Sequence, residues 1–172
     1  TMNSEIPLIA TYKARVSGAL SIYLQDPEYP HQFQITPPYQ TEQDYHWTIV
    51  KEYPIRESKY IRPILLLLTA EAMGAKPEEG ITTACAMQLS EEWLLIHDDI
   101  EDGSLQRRGK ETLHRLYGME LAINAGDALQ ITMWKALIDN FRLLGQPRSL
   151  LIAEEFHRIL SRTTLGQTTE IK

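Results

Sequence analysis

Three aspartates carry the clearest chemical signal in this chain of 172 residues. Asp98, Asp99 and Asp102 occupy positions i, i+1 and i+4. On a helix, Asp98 and Asp102 share one face and lie roughly 6 Å apart along the axis. Two carboxylates held this closely repel each other unless a cation lies between them. Oxygen ligands of this kind suit Mg²⁺, which takes one or two carboxylates and binds substrate phosphates at its remaining positions, so the spacing predicts a magnesium site.

Two arginines follow the aspartates. Arg107 and Arg108 precede Gly109, and guanidinium groups match phosphate oxygens two at a time. Together with a magnesium site, they predict a diphosphate clamp. The alternative is that the acidic run is only a solvated helix end. The apolar residues 93–96 before it, and the position of the carboxylates at a helix C-terminus where they oppose the macrodipole, favour a functional role.

Composition limits the other classes of function. A net charge of −6 and a pI near 5.4 argue against a nucleic-acid partner. Cys85 is the only cysteine, which excludes an internal disulfide and fits a reducing compartment such as the cytoplasm. The longest purely apolar run covers only residues 64–68, and no signal peptide is recognisable. We therefore expect a cytoplasmic protein that is not an integral membrane protein.

The elements that position these residues are predicted to be helices, because apolar residues recur every three or four positions and strand signals are nearly absent. Four prolines predict a loop over 27–40, and residues 103–110 are expected to form an exposed basic loop. Ser58 is expected to cap the third helix, and Pro77 to open the fourth. The predicted helices are 8–24, 42–53, 58–74, 77 to the aspartates, 111–117, 119–144 and 147–172. The last of them has no stop signal, which indicates that the sequence continues beyond Lys172.

The motifs resemble those of the trans-type isoprenyl diphosphate synthases, or polyprenyl synthetases. They follow the family's order at near-family spacing over 57–172. The resemblance implies an all-α isoprenoid synthase bundle with a central cavity, usually a homodimer. It also implies that residues 1–172 form the N-terminal part of one prenyltransferase domain. The matching residues are Lys59 with Arg62-Pro63, His97 to Asp102, Arg107-Arg108-Gly109 with Thr112 and His114, Asn124 to Asp127, and Gly166-Gln167 with Glu170.

The resemblance also implies a reaction, the condensation of isopentenyl diphosphate with an allylic diphosphate. Asp98 and Asp102 would be the principal Mg²⁺ ligands, with Asp99 in support. The metal would act as a Lewis acid on the leaving diphosphate. Arg107 would hold the allylic diphosphate, and Gln167 would line the reaction site.

Other residues would serve the second substrate and the product. Lys59, Arg62 and Arg108 would hold the diphosphate of isopentenyl diphosphate, and the first two are expected in the first turn of their helix. Trp93 lies five residues before Asp98. It would either close the hydrocarbon tunnel, which gives a medium-length product of C15 to C20, or be an ordinary core tryptophan.

The remaining polar matches have a structural interpretation beside a functional one. His97 and His114 are interpreted as hydrogen-bonded structural residues rather than as groups that orient a carboxylate. Gly126 predicts close helix packing. Asn124 and Asp127 would either face the cavity or serve that packing.

Some features depart from the family pattern. Glu57 and Ser58 stand where the family has two glycines, so a Cβ replaces bare backbone near a diphosphate. Glu91 stands where the family usually has a histidine, and an ionised carboxylate there would repel isopentenyl diphosphate. The second aspartate-rich motif, which the family carries in its C-terminal half, is absent from these residues. We therefore expect this chain alone to be inactive.

Three functions stay open from the sequence. The leading one is part of a prenyltransferase, working as a homodimer or with a partner that supplies the C-terminal half. The second is a terpene-synthase-like lyase that acts on an allylic diphosphate alone, which Ser58 and Glu91 favour. The third is a non-catalytic partner subunit of a full-length synthase.

Overall fold

Seven α-helices, two 3₁₀ turns and one short hairpin make up the regular structure of the described residues. The structure is a computed structural model that describes residues 7–27, 30–34 and 37–172. The helices are α1 (Pro7–Tyr23), α2 (Gln40–Lys51), α3 (Ile61–Ala72), α4 (Ile81–Glu101), α5 (Leu113–Tyr117), α6 (Met119–Leu144) and α7 (Gln146–Ile171). The antiparallel hairpin joins β1 (Gln106–Arg107) to β2 (Lys110–Glu111). The all-α class predicted from the sequence is confirmed.

α4 lies at the centre of the bundle because it is buried around most of its circumference. The small side chains of Ala84, Cys85 and Ala86 are fully buried, so neighbouring helices can approach closely. α1, α3 and α6 all pack against it. The same helix ends at the aspartates, so the packing of the core fixes where the acidic residues lie.

α7 runs alongside α4 in the same direction. At the start of both helices, Arg148 Nη1 lies 3.2 Å from Glu79 Oε1. At the other end, Gln167 Nε2 lies 3.4 Å from Asp98 Oδ1. Contacts at both ends leave a space between the two helices.

No helix in the described ranges is both long enough and apolar enough to cross a membrane.

Most helix bounds agree with the sequence-based prediction. α1, α2, α6 and α7 each begin and end within two residues of the predicted limits. In the predicted loop over 27–40, two 3₁₀ turns form at His31–Phe33 and Pro37–Tyr39. Residues 28–29 and 35–36 of that loop, like residues 1–6, lie outside the described residues.

Two predicted helix starts are wrong. α3 begins at Ile61 rather than near Ser58, because Tyr60 adopts a left-handed conformation with φ of 51°. Ser58 Oγ instead accepts a bond from Tyr60 N across 3.4 Å within the preceding turn. Lys59 therefore precedes the helix, and only Arg62 lies in its first turn. Similarly, residues 77–79 form a turn, and α4 begins at Ile81.

The hairpin covers residues 106–111, so it occupies most of the predicted basic loop over 103–110 and extends to Glu111. Gln106 pairs with Glu111, and Arg107 pairs with Lys110. The two residues between the strands, Arg108 and Gly109, have φ of 53° and 77°. Two positive φ angles at the centre of a two-residue turn are typical of the type I′ hairpin, whose twist matches that of the strands.

Candidate active site

Asp98 and Asp102 form an acidic pair at the C-terminal end of α4. Asp102 N donates to Asp98 O across 2.8 Å, so the helical i, i+4 geometry continues to Asp102. The Asp98 side chain is 37% exposed and Asp102 is exposed. Partial burial, followed by the charge of Asp102, raises the pKa of Asp98. A cation between the two carboxylates would relieve this repulsion.

The donor set fits magnesium. Across residues 7–27, 30–34 and 37–172, no cluster of three or more His, Cys, Asp or Glu side chains is arranged to hold a metal ion. The pair at Asp98 and Asp102 supplies only carboxylate oxygens. Mg²⁺ is commonly bound through one or two carboxylates, with water and substrate phosphates completing its shell. Asp98 and Asp102 are therefore the candidate metal ligands.

Asp99 has the opposite environment, although it is the neighbour of Asp98. Its side chain is completely buried and accepts three bonds of 2.6 to 3.2 Å from Nε and Nη2 of Arg107. It also accepts a bond of 2.6 Å from Tyr53 Oη. Arg107 is thereby fixed with Nη2 3.6 Å from Asp98 Oδ2. The geometry makes Asp99 the residue that orients Arg107.

Tyr53 is a residue of this site that the sequence analysis missed. It lies just beyond α2 and is fully buried. Its hydroxyl donates to Asp99 and accepts a bond of 3.2 Å from Leu113 N. Burial, followed by the bond to Asp99, raises its pKa, so it remains a neutral donor. Tyr53 therefore couples the acidic end of α4 to the start of α5.

Arg56 is the second missed residue. It is 4% exposed, and its guanidinium lies 4.6 Å above the Tyr53 ring. Nη1 donates to the carbonyl of Arg107 across 2.9 Å, and Nη2 donates to the carbonyl of Glu111 across 2.8 Å. These bonds hold both strands of the hairpin. The only sequence signal was a tyrosine and an arginine flanking the helix-ending Pro54, which is weak on its own.

Arg108 lies in a buried ion pair rather than in open solvent. Its Nη1 and Nη2 make three contacts of 3.0 to 3.1 Å with the carboxylate of Glu92, which is 1% exposed. Nη1 also donates to the carbonyl of Tyr53 across 3.0 Å. Gln88 Nε2 donates to the same carboxylate across 2.6 Å. The Arg108 guanidinium is directed into the protein by this network.

The two basic residues near the start of α3 are exposed. Arg62 Nη1 lies 3.0 Å from Glu91 Oε1, and the Arg62 side chain is 66% exposed. Lys59 lies in the segment before the helix, beside the exposed Glu57 in sequence. Only Arg62 of these two is brought to the space between α4 and α7.

A cavity of about 520 Å³ occupies that space. Its charged lining residues are Arg62, Glu91, Asp98 and Glu101. Its apolar lining residues are Met87, Leu94, Leu95, Ile159 and Leu160. On α4 the ion pair of Glu91 with Arg62 lies between Met87 and Leu94, away from the end of the cavity at Asp98. Asp98 and Met87 are eleven residues apart on α4, which corresponds to a depth of about 16 Å. Such a cavity can hold a molecule with one anionic end and a hydrocarbon tail.

The other predicted residues divide between this cavity and its surroundings. Gln167 lines the cavity opposite Asp98, whereas Lys59, Arg107 and Arg108 do not line it. Trp93 also lines it but is only 5% exposed, and its Nε1 is buried without a hydrogen-bond partner.

His97 packs against α6. Its ring meets that of Trp93 edge-on, and Nε2 lies 3.5 Å from Asp127 Oδ1. A Cβ on Gly126 would lie 2.5 Å from the same nitrogen. Any larger residue at this position would have to displace the His97 ring. Neither Asp127 nor Asn124 lines the cavity.

His114 lies outside the cavity, near the start of α5. Its Nε2 lies 3.5 Å from Thr112 Oγ1, and its Nδ1 is buried without a partner. The Thr112 hydroxyl donates to the carbonyl of Ser104 across 2.8 Å. These contacts connect α5 to the segment that follows α4.

Known sequences resemble most of this chain. The profile of the family described as polyprenyl synthetase matches residues 46–172. A farnesyl diphosphate synthase of Geobacillus stearothermophilus is 35% identical over 144 residues, which are 81% of this chain and 44% of that protein. A geranylgeranyl diphosphate synthase of Cyanophora paradoxa is 49% identical over 73 residues, which are 41% of this chain and 24% of that protein. The chain thus spans less than half the length of these curated relatives.

Solved structures show the same fold. Geranylgeranyl pyrophosphate synthetase from Pyrococcus horikoshii superposes with a TM-score of 0.77 and 27% identity, covering 94% of this chain and 45% of that one. The synthetase from Geoglobus acetivorans gives a TM-score of 0.78 and 25% identity, covering 94% and 47%.

Proposed function

This chain belongs to the polyprenyl synthetase family, and from that premise we propose that it carries the allylic half of a Mg²⁺-dependent prenyltransferase site. The reaction is the condensation of isopentenyl diphosphate with an allylic diphosphate. One observation carries the proposal: the carboxylate of Asp98, which pairs with Asp102 one helical turn further on, lies at one end of a cavity whose walls include Leu94, Leu95, Ile159 and Leu160. This arrangement suits a diphosphate at the mouth and a prenyl chain below.

The residues of the site have different roles, which follow from their environments. Asp98 and Asp102 would hold magnesium, which supplies charge neutralisation for a leaving diphosphate. Arg107, oriented by Asp99, would bind oxygens of the same diphosphate. Gln167 of α7 donates to Asp98 across 3.4 Å. The apolar walls of the cavity exclude water from the prenyl chain.

The proposed condensation has three steps. The C–O bond of the allylic diphosphate breaks and its electron pair leaves with the diphosphate. The double bond of isopentenyl diphosphate attacks the allylic cation. Loss of a proton then restores a double bond in the longer prenyl diphosphate. Lys59, Arg62 and Arg108 are the basic residues that the family pattern assigns to the second diphosphate, although Arg62 and Arg108 pair with Glu91 and Glu92 in this chain.

We further propose a product of C15 to C20, with Trp93 limiting the length of the chain. The position of Trp93 supports this because it lines the cavity five residues before Asp98, which is more than one helical turn. The active assembly is proposed to be a cytoplasmic homodimer, or a complex with a partner that supplies a second aspartate-rich motif. On its own the chain would be inactive, since every carboxylate that lines the cavity within the described residues comes from α4.

A second candidate function is favoured by the ion pair between Arg62 and Glu91. If Arg62 is not available to a second diphosphate, ionisation of the allylic diphosphate would be followed by cyclisation or by capture of water. The protein would then resemble a terpene-synthase-like lyase. Product analysis with farnesyl diphosphate, with and without isopentenyl diphosphate, separates the two candidates.

Binding of an allylic diphosphate with Mg²⁺ is common to both candidate functions and can be tested directly. Calorimetry would titrate the chain with geranyl thiolodiphosphate, an unreactive allylic analogue, in the presence and absence of Mg²⁺. We expect binding that requires Mg²⁺ and that is lost in Asp98→Asn and Asp102→Asn. Asp44→Asn, an exposed position on α2, is the matched control and should bind normally. Equal binding by Asp98→Asn and the unaltered chain would refute the proposal.

Activity tests the remaining part. The purified chain would be incubated with Mg²⁺, geranyl diphosphate and labelled isopentenyl diphosphate. We expect no prenyl product from the chain alone. Substantial elongation would contradict the proposal that the site needs a second wall.

A further inference from the structure

Two consecutive glutamates of α4 each hold an arginine. Glu91 Oε1 lies 3.0 Å from Arg62 Nη1. Glu92 holds both Nη atoms of Arg108 at 3.0 to 3.1 Å. Successive residues on a helix point about 100° apart, so the pair reaches arginines in two different parts of the fold. Both arginines belong to the set that the family pattern assigns to the second diphosphate.

The Arg108 pair is closed to solvent. The side chains of Glu92 and Arg108 are 1% and 14% exposed. Burial raises the pKa of Glu92, with the charge of Arg108 opposing the shift. If Arg108 turned to an external anion, the Glu92 carboxylate would be left buried with only Gln88 as a donor. Breaking one side of a buried ion pair in this way is strongly unfavourable.

The Arg62 pair is more open but lies within the cavity. Arg62 is the only lysine or arginine among the cavity-lining residues of the described ranges, which include three carboxylates. Glu91 is only 18% exposed, so its charge faces Arg62 rather than solvent. A second diphosphate at Arg62 would have to displace Glu91 and would remain close to its negative charge.

We propose that Glu91 and Glu92 are specificity-determining residues that keep Arg62 and Arg108 from the second diphosphate. The site would then favour a single diphosphate, bound with magnesium at Asp98 and Asp102, and bind isopentenyl diphosphate weakly. This inference rests on the proposed function, because it concerns the second substrate of the same site.

Glu91→Gln is the informative variant, since it removes the charge but keeps the shape and an acceptor for Arg62. Calorimetry with isopentenyl diphosphate in the absence of Mg²⁺ isolates the arginines from the acidic pair. We expect Glu91→Gln to tighten this binding about 3- to 10-fold. The gain should shrink at high salt and disappear in Glu91→Gln/Arg62→Gln.

Two further variants complete the design. Glu155→Gln removes an exposed glutamate that pairs with Arg158 elsewhere on α7, and it should leave binding unchanged. Glu92→Gln disturbs a buried pair, so its thermal melting is measured first. If it remains folded, it should also tighten isopentenyl diphosphate. If Glu92→Gln does not fold, the binding of isopentenyl diphosphate by Glu91→Gln alone tests the inference.

The outcomes separate this inference from the proposed function. Unchanged or weaker binding of isopentenyl diphosphate by Glu91→Gln overturns the inference, as does undetectable binding by both proteins. Geranyl thiolodiphosphate with Mg²⁺ should bind Glu91→Gln and the unaltered chain within about twofold. If neither protein binds that analogue, the proposed function fails, while tighter isopentenyl diphosphate binding by Glu91→Gln would still support the role of Glu91.

Discussion

Replacing Asp98 or Asp99 by asparagine should have opposite effects on stability, although the residues are adjacent and the change is the same. Asp98 is partly exposed and is repelled by Asp102. Asp99 is fully buried and accepts bonds from Arg107 and Tyr53. Asp98→Asn therefore removes a repulsion, and Asp99→Asn removes the partner of a cation.

The magnitudes follow from these environments. Relief of one i, i+4 repulsion is worth about 0.2–0.5 kcal/mol. At about 2–4 °C per kcal/mol for a chain of this size, Asp98→Asn should raise Tm by about 1 °C. Asp99→Asn breaks a pair whose Arg107 side chain is 28% exposed, so we expect a loss of about 2–4 kcal/mol, somewhat below the value for a fully buried pair. Tm should fall by about 4–16 °C.

Ligand binding supplies the second half of this prediction. Saturation at 100 times Kd stabilises the folded chain by about 2.7 kcal/mol. Mg²⁺ with geranyl thiolodiphosphate should therefore raise the Tm of the unaltered chain by about 5–11 °C. Asp98→Asn should lose most of this shift while remaining folded.

Differential scanning fluorimetry measures both the Tm of each variant and the rise in Tm caused by Mg²⁺ with the analogue. A large loss of Tm in Asp98→Asn, together with none in Asp99→Asn, would refute the assignment of an open and a structural aspartate.

Three other substitutions have effects that follow from the surroundings of a single residue. Tyr12 donates to Glu71 and lowers the pKa of that carboxyl below the ordinary 4.5. The stability contributed by this bond is therefore present above pH 4.5 and lost as the pH falls below it. In thermal melts, Tyr12→Phe should lose less stability on acidification than the unaltered chain, and the same pH profile for both proteins would contradict this expectation. Gly166→Ala meets open space on α7 and should stabilise by about 0.5–1 kcal/mol. Gly126→Ala should destabilise by about 1–3 kcal/mol, because its Cβ meets the ring of His97. Equal urea midpoints for the two alanine variants would contradict the close packing of α4 on α6.

The long helices could be predicted because their signals are local. The apolar periodicity of α6 and α7 is continuous, and Gly118 and Gly145 mark where each begins. The hairpin could not, since strands of two residues carry no alternation of apolar and polar side chains. The start of α3 was missed because the left-handed conformation of Tyr60 is rare for a residue with a Cβ.

The same distinction applies to the site. The shared face of Asp98 and Asp102 follows from helical spacing alone. The burial of Asp99 depends on Tyr53, which is 46 residues away in the sequence. The partner of Arg108 is Glu92, which lies 16 residues earlier. The sequence around Arg108 is equally typical of an exposed loop, because only the conformation of the turn directs its side chain into the protein. Tertiary contacts of this kind leave no periodic signal.

The two acidic pairs of α4 differ in what neutralises them, and this difference predicts an order of binding. Glu91 and Glu92 already have arginine partners. Asp98 and Asp102 lie at the C-terminal end of the helix, where the macrodipole adds further negative potential, and the nearest guanidinium to Asp98 is shared with Asp99. A bare diphosphate approaching this end would be repelled by the carboxylates. We therefore expect Mg²⁺ to bind before the allylic diphosphate or together with it. Titration of the analogue in the presence of a chelator should give little heat, and strong binding there would contradict this electrostatic argument.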